Sequence, residues 1–331
     1  MNKRKKGQKP MAIFLIIIGV VVWINLTSLL INQIFFRNEL RGLEPLGQMV
    51  EVNGGMMHVH SMGDGQQTIV LLPGLGTALP SASFGPLIRE LSEDFTVVAV
   101  EYFGVGFSSQ TDTPRTNANY TQEIRTALLA AGFKPPYILM PHSASGVYAE
   151  YFATRYPSDV TALILLDTTP THEIIGPDIP KFAADIQRLT QPMGLMRPVN
   201  RIVNATVQGF TTENGYTANE INYIRRFTNN AANRTITNQL VAHNNATREV
   251  MGMPFPQYIP VLSIIPTRPN PGVTEEHMIG HMTRFGEESK RITLEGSHMI
   301  YRGNSAAIRE AVNAFLDDTI KSAAAGRDCT S

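Results

Sequence analysis

The stretch YILMPHSASGVYAEYF, residues 137–152, constrains the fold of this chain more than any other. It reads as an apolar strand, a tight turn of small residues and then a helical pattern. A strand that passes so abruptly into a helix belongs in a largely parallel sheet joined by crossover helices. The same rhythm recurs along the chain, with strands expected at 48–52, 56–60, 68–72, 96–100, 137–140, 162–166, 261–265 and 291–294. Each run of β-branched and apolar residues ends in glycine, proline or a polar turn residue.

Ahead of this pattern, residues 11–31 read MAIFLIIIGVVVWINLTSLLI and carry no formal charge. About twenty apolar residues are what a helix needs to cross a bilayer, and no small-x-small cleavage site follows, so an uncleaved anchor is expected. Lys3, Arg4, Lys5, Lys6 and Lys9 precede it. Basic flanks stay on the cytoplasmic side, which places the rest of the chain outside the cytoplasm. Over the whole chain 28 basic residues balance 28 acidic ones, which leaves the part after the basic N-terminus net acidic, so no field favours nucleic acid, and no nucleic-acid partner is expected.

Between Asp167 and Pro260 the strand pattern stops, and roughly ninety residues read as polar-faced helices, a length that a compact domain houses as a lid. The expected division is a basic cytoplasmic N-terminus at 1–10, a membrane anchor at 11–31, a linker at 32–47, a core at 48–170 and 256–323, a helical cap at 171–255 and a tail at 324–331. The one cysteine, Cys329, rules out an intrachain disulfide and a cysteine-based metal site.

Ser143 sits in the turn of the opening segment. A turn this sharp strains the serine, exposes its hydroxyl, and aims the N–H of Ala144 and the new helix's N-terminus at a developing oxyanion. PHSASG followed by YAEYFATRYPSDVTALILLD resembles the nucleophile region of the α/β-hydrolase superfamily, although Pro141 and Ser145 stand where the usual G-x-S-x-G has glycines. The resemblance implies a mostly parallel eight-stranded sheet flanked by helices, with a helical cap after the sixth strand, and Ser143 as nucleophile.

Thr68-Ile-Val-Leu-Leu-Pro-Gly-Leu-Gly-Thr resembles the family's loop after its third strand, which makes the Leu75 N–H the second oxyanion donor. Glu101, Gly104, Gly106 and Ser108 match a further family loop and are read as architectural. The family's histidine comes last, after the final strand, and His298 in Arg291-Ile-Thr-Leu-Glu-Gly-Ser-His holds that place. His142 is read as a neutral core histidine, His277 and His281 as a solvated helix face, and His58 and His60 as surface or cap-facing residues.

The family usually places its acid after the penultimate strand, where this chain has Pro266-Thr-Arg-Pro-Asn-Pro-Gly and no carboxylate before Glu275. Some branches place it one strand earlier, which here is Asp167. Asp167 is the expected acid, with Glu275 or a dyad supported by Asn270 as alternatives. The implied activity is hydrolysis of a small ester, or of an amide or thioester, with no cofactor and no metal. The rival is a catalytically silent binding or signalling domain on the same fold.

Overall fold

The structure, a computed structural model, describes residues 8–328 apart from 175, 207, 208, 271 and 288. Residues 69–72 show how it is built. Val70 and Leu72 enter one apolar layer, Ile69 and Leu71 the other, and all four are fully buried. Side chains alternate across a strand, so a strand that is apolar at every position must be covered on both faces.

Eight strands form one sheet: β1 (Gln48–Val52), β2 (Gly55–Met62), β3 (Thr68–Leu72), β4 (Thr96–Val100), β5 (Tyr137–Pro141), β6 (Val160–Leu166), β7 (Val261–Arg268) and β8 (Lys290–Ser297). Their spatial order is β1-β2-β4-β3-β5-β6-β7-β8. β1 and β2 pair antiparallel, as do β2 and β4, and β3 to β8 run parallel. All eight expected strands form, within a few residues at their ends. Because β4 lies on one side of β3 and β5 on the other, the connections diverge at the carboxyl ends of β3 and β5. Such a switch point leaves a crevice there.

The helices are α1 (Gln8–Ile31), α2 (Pro80–Ser83), α3 (Gly85–Leu91), α4 (Asn117–Ala130), α5 (Ser145–Arg155), α6 (Lys181–Thr190), α7 (Arg197–Thr206), α8 (Ala218–Thr228), α9 (Arg234–Met251), α10 (Glu275–Met282) and α11 (Ser305–Asp328). α4 and α5 cover one face through Tyr120, Ile124, Val147 and Phe152. α3 and α11 cover the other through Leu87, Ile88, Ile308 and Val312. Removing the side chain of a buried residue such as Leu71 is expected to cost about 2–5 kcal/mol.

Between β6 and β7 the chain forms α6 to α9, in the stretch where the strand pattern stops. A third apolar cluster, Leu79, Phe210, Tyr216, Ile224 and Phe227, joins α8 to the loop after β3. Leu40, Leu43 and Leu46 pack on it, and the N-terminal helix continues as a π-helical turn to Phe36. Residues 32–47 are therefore more ordered than a linker. At the other end α11 runs to Asp328, so most of the expected tail is helix. Residues 1–7 and Cys329 lie outside the described residues.

Residues 11–36 form a helix long and apolar enough to cross a membrane, a candidate anchor or signal sequence.

Candidate active site

The turn after β5 is tight because its backbone is tied on three sides. The Ser143 N–H donates to the Leu166 carbonyl at 3.2 Å, the Thr169 N–H donates to the Ser143 carbonyl at 3.0 Å, and His142 bridges Leu166 in parallel register. Ser143 itself has φ of 56°, a left-handed conformation that a side chain other than glycine's rarely adopts. That strain costs on the order of 1–3 kcal/mol and persists because the surrounding bonds fix it.

The two departures from the glycine pattern have structural reasons. Pro141 ends β5 in register with Leu72, a strand end that tolerates the missing donor. Ser145 opens α5, and its hydroxyl donates to the Pro73 carbonyl while lying 2.9 Å from the Tyr102 hydroxyl. It therefore pins the loop after β3 to the turn. The crowding falls one residue later, at Gly146, where a Cβ would stand 2.5 Å from the Thr168 Cβ.

His298, just past β8, places Nε2 2.9 Å from the Ser143 hydroxyl. Its Nδ1 lies 2.6 Å from Asp167 Oδ2, at the end of β6. Asp167 also has positive φ, 42°, and its carboxylate is almost wholly buried. The same Oδ2 accepts the backbone N–H of Asn270 at 3.2 Å. The segment after β7 thus contributes a backbone donor to the carboxylate of the neighbouring strand. Glu275 is mostly exposed and pairs with Arg291 at 2.5 Å. This array can hold one imidazole tautomer and accept the serine's proton.

Gly74 lies against the turn so closely that a Cβ on it would come within 2.7 Å of the Ser143 Cβ. The next residue is Leu75. Among the described residues, the N–H groups of Leu75 and Ala144 donate to no acceptor. Two unengaged N–H groups flanking a strained serine can receive a developing oxyanion. A cavity of about 190 Å³ is lined by Gly74, Gly76, Tyr102 and Phe227. Another of about 240 Å³ is lined by Gly76, Ala184, Met196, Arg197 and Leu240. Both reach the loop after β3, and neither wall includes Ser143.

His142 is buried, and its Nε2–H donates to the His298 carbonyl at 2.9 Å, with ring centroids 4.8 Å apart. Burial holds its pKa well below the usual imidazole range, and the neighbouring His298 adds to the effect. It braces the backbone that carries His298. Sequence reading identified it as a core histidine but gave no sign of that bond.

Two other expectations are corrected. His281 is not on a solvated face: it is fully buried, and its Nε2–H donates to Glu150 at 2.8 Å, because α10 turns that side inward onto α5. His58 is equally buried. Its Nε2 accepts the Gly47 N–H at 2.8 Å and its Nδ1 lies 3.1 Å from Glu101, whose carboxylate also takes the Ser81 hydroxyl and the Phe107 N–H. His60, its neighbour on β2, is half-buried against the Leu46 carbonyl.

A family model described as alpha/beta hydrolase fold matches residues 67–197. An epoxide hydrolase from Bacillus megaterium superposes with a TM-score of 0.63 over 82% of this chain and 100% of its own, at 19% identity. The chain has the α/β-hydrolase fold. Among curated relatives of this chain, YbdG of Bacillus subtilis is 32% identical over 47% of the chain and 48% of its own length. A pimeloyl-[acyl-carrier protein] methyl ester esterase of Xylella fastidiosa is 26% identical over 55% of the chain and 70% of its own length. The chain spans about half the length of YbdG and of a second Bacillus subtilis relative, at 48% and 46%. These likenesses support a hydrolase.

Proposed function

We propose that this α/β-hydrolase cleaves a carboxylic ester through an acyl-enzyme on Ser143, with His298 as general base and Asp167 as the acid that orients it. The observation that carries the reading is the continuous hydrogen-bonded line from Asp167 Oδ2 through both nitrogens of His298 to the Ser143 hydroxyl. Its support from relatives is the esterase of Xylella fastidiosa.

In this mechanism His298 Nε2 takes the proton as Ser143 Oγ bonds to the carbonyl carbon. The oxyanion sits against the N–H groups of Leu75 and Ala144, each worth on the order of 3 kcal/mol in the transition state. As the intermediate collapses, the C–O bond of the alcohol breaks and His298 returns the proton to the leaving oxygen. Water, deprotonated by the same nitrogen, then attacks the acyl-serine, and as the acyl C–Oγ bond breaks that nitrogen returns the proton to Ser143 Oγ and the carboxylic acid is released. The proposal includes α1 as a membrane anchor, with the basic residues before it in the cytoplasm and the catalytic domain outside. It also assigns α6 to α9 the role of a cap over the crevice, where contacts with substrate set the acyl preference.

Labelling with a fluorophosphonate tests the chemistry. The wild type labels and Ser143→Ala does not. An unlabelled wild type, or equal labelling of the two, returns the chain to a silent binding domain.

A further inference from the structure

α6 is built inside out. Ala184 is the small residue turned inward, into the cavity it shares with Leu240 of α9. Phe182, Ile186 and Leu189, spaced four and three residues apart on one helical face, point outward and are 70%, 54% and 62% exposed. Leu195 and Met196, just before α7, and Val199 within it are also exposed apolar residues. Six exposed apolar side chains gathered within residues 182–199 mark a binding surface, whereas isolated exposed apolar residues do not.

What covers the patch is indicated by its neighbour. The turn between α6 and α7 is held to the end of the N-terminal helix. The Ser28 hydroxyl donates to the Met193 carbonyl at 2.5 Å, and the Asn32 amide donates to the Pro192 carbonyl at 2.8 Å. Arg197 donates to Asn32 at 2.6 Å, pairs with Glu39 at 2.6 Å, and lies over the Phe36 ring. A helix rises about 1.5 Å per residue, so about twenty residues cross the roughly 30 Å hydrocarbon core. A span that begins at Met11 leaves hydrocarbon close to Ile31. Ser28 and Asn32 then lie at the boundary, and the α6–α7 turn bonded to them lies at headgroup depth.

We infer that the outward face of α6 and the start of α7 seats in the outer lipid interface, and that the ester reaching Ser143 carries an acyl chain drawn from that bilayer. This rests on the reading of α1 as an anchor and of Ser143 as a hydrolase nucleophile. An amphipathic helix lying in the interface buries its apolar face to about 5–10 Å, which matches the position that the anchor imposes on α6. Behind that face, the 240 Å³ cavity runs from Ala184, Met196 and Arg197 to Gly76 in the loop beside Ser143. An acyl chain leaving the bilayer between α6 and α7 therefore meets a cavity that reaches the loop carrying the candidate donor Leu75.

The test uses the full chain in phosphatidylcholine vesicles, in a Cys329→Ser background. Spin labels are attached after Ile186→Cys, Leu189→Cys, Val20→Cys in the anchor, and Tyr258→Cys on an exposed loop. Ile186 and Leu189 labels relaxed by oxygen and shielded from a nickel chelate, as at Val20, support the inference. Labels at 186 and 189 relaxed by nickel as at Tyr258, with Val20 shielded, overturn it and leave the anchor intact. A Val20 label relaxed by nickel overturns the anchor and the inference with it.

Phe182→Glu combined with Leu189→Glu addresses the substrate. The pair is expected to slow hydrolysis of an oleoyl ester embedded in the vesicles at least about tenfold, with p-nitrophenyl acetate within about twofold of the wild type. Equal effects on both esters, or none on either, overturn the bilayer source. A wild type inactive on both esters overturns the hydrolase reading and the substrate class together, while the spin labels still decide the membrane seat.

Discussion

The carboxylate of Asp167 and the imidazole of His298 meet at 2.6 Å across 131 residues of chain. One stands at the end of β6 and the other just past β8, with β7 between them in the sheet. The Asn270 N–H, from the segment after β7, donates to the same carboxylate oxygen at 3.2 Å. The carboxylate thus lies one strand away from the segment that supports it.

Asp167→Asn is expected to lower kcat by roughly 10³–10⁴ with little change in KM, because the amide favours the wrong tautomer of His298. Glu275→Gln is expected to stay within about twofold, since Glu275 pairs with Arg291 on the exposed surface. Steady-state kinetics on a short nitrophenyl ester compares them. A larger loss in the Glu275 variant would reverse the assignment of the acid.

Gly74 and Gly76 separate two effects in one loop. A Cβ at Gly74 meets Ser143 Cβ at 2.7 Å and His142 Nδ1 at 2.9 Å, whereas one at Gly76 meets nothing within 4 Å. Gly74→Ala should therefore displace the donor loop and reduce kcat about 100-fold or more, the loss expected when an oxyanion donor is removed. Gly76 has φ of 82°, so Gly76→Ala adds backbone strain and should cost on the order of 1 kcal/mol of stability. Circular dichroism melts alongside kinetics distinguish the two.

Ser145→Ala removes the hydroxyl that holds the Pro73 carbonyl and leaves the buried Tyr102 hydroxyl without that partner. An unsatisfied buried group costs about 1–3 kcal/mol. Urea unfolding should record a loss in that range, and Ser145→Gly should show a loss at least as large. A variant as stable as the wild type would mean that the hydroxyl does not anchor the loop.

Acid should weaken the fold through two desolvated histidines, half-buried His243 and buried His142. Burial lowers the His243 pKa to about 4 and moves His142 in the same direction. Unfolded imidazoles titrate near 6.5. Between those values the unfolded chain binds protons that the native chain refuses, so stability present above pH 6.5 is lost as pH falls toward 4. Each such group contributes a slope of at most about 1.4 kcal/mol per pH unit. His243→Gln should flatten the decline in melting temperature over that range. A decline as steep in the variant as in the wild type would remove His243 from the account.

The strands, the strained turn, the glycine loop and a late histidine were all readable in the sequence, because each is a local pattern. Strand periodicity, small residues at a turn and the order of elements are written over a few consecutive positions. The sequence by itself therefore determined the eight strands, the nucleophile candidate Ser143 and its base candidate His298.

Partnership between distant residues was decided only by the tertiary structure. The sequence favoured Asp167 over Glu275 or Asn270 as the support for His298, but only the strand order shows a carboxylate meeting the imidazole. His58 and His281 looked like surface residues because an alternating strand or a helical face does not say which side is covered, and Glu101 and Glu150 meet them from other elements. The hold of the N-terminal helix on the turn before α7 was equally invisible, since Ser28 and Met193 lie 165 residues apart. Sequence spacing sets which groups share a face of one element, whereas the facing partner depends on how whole elements pack, and that is a property of the folded chain.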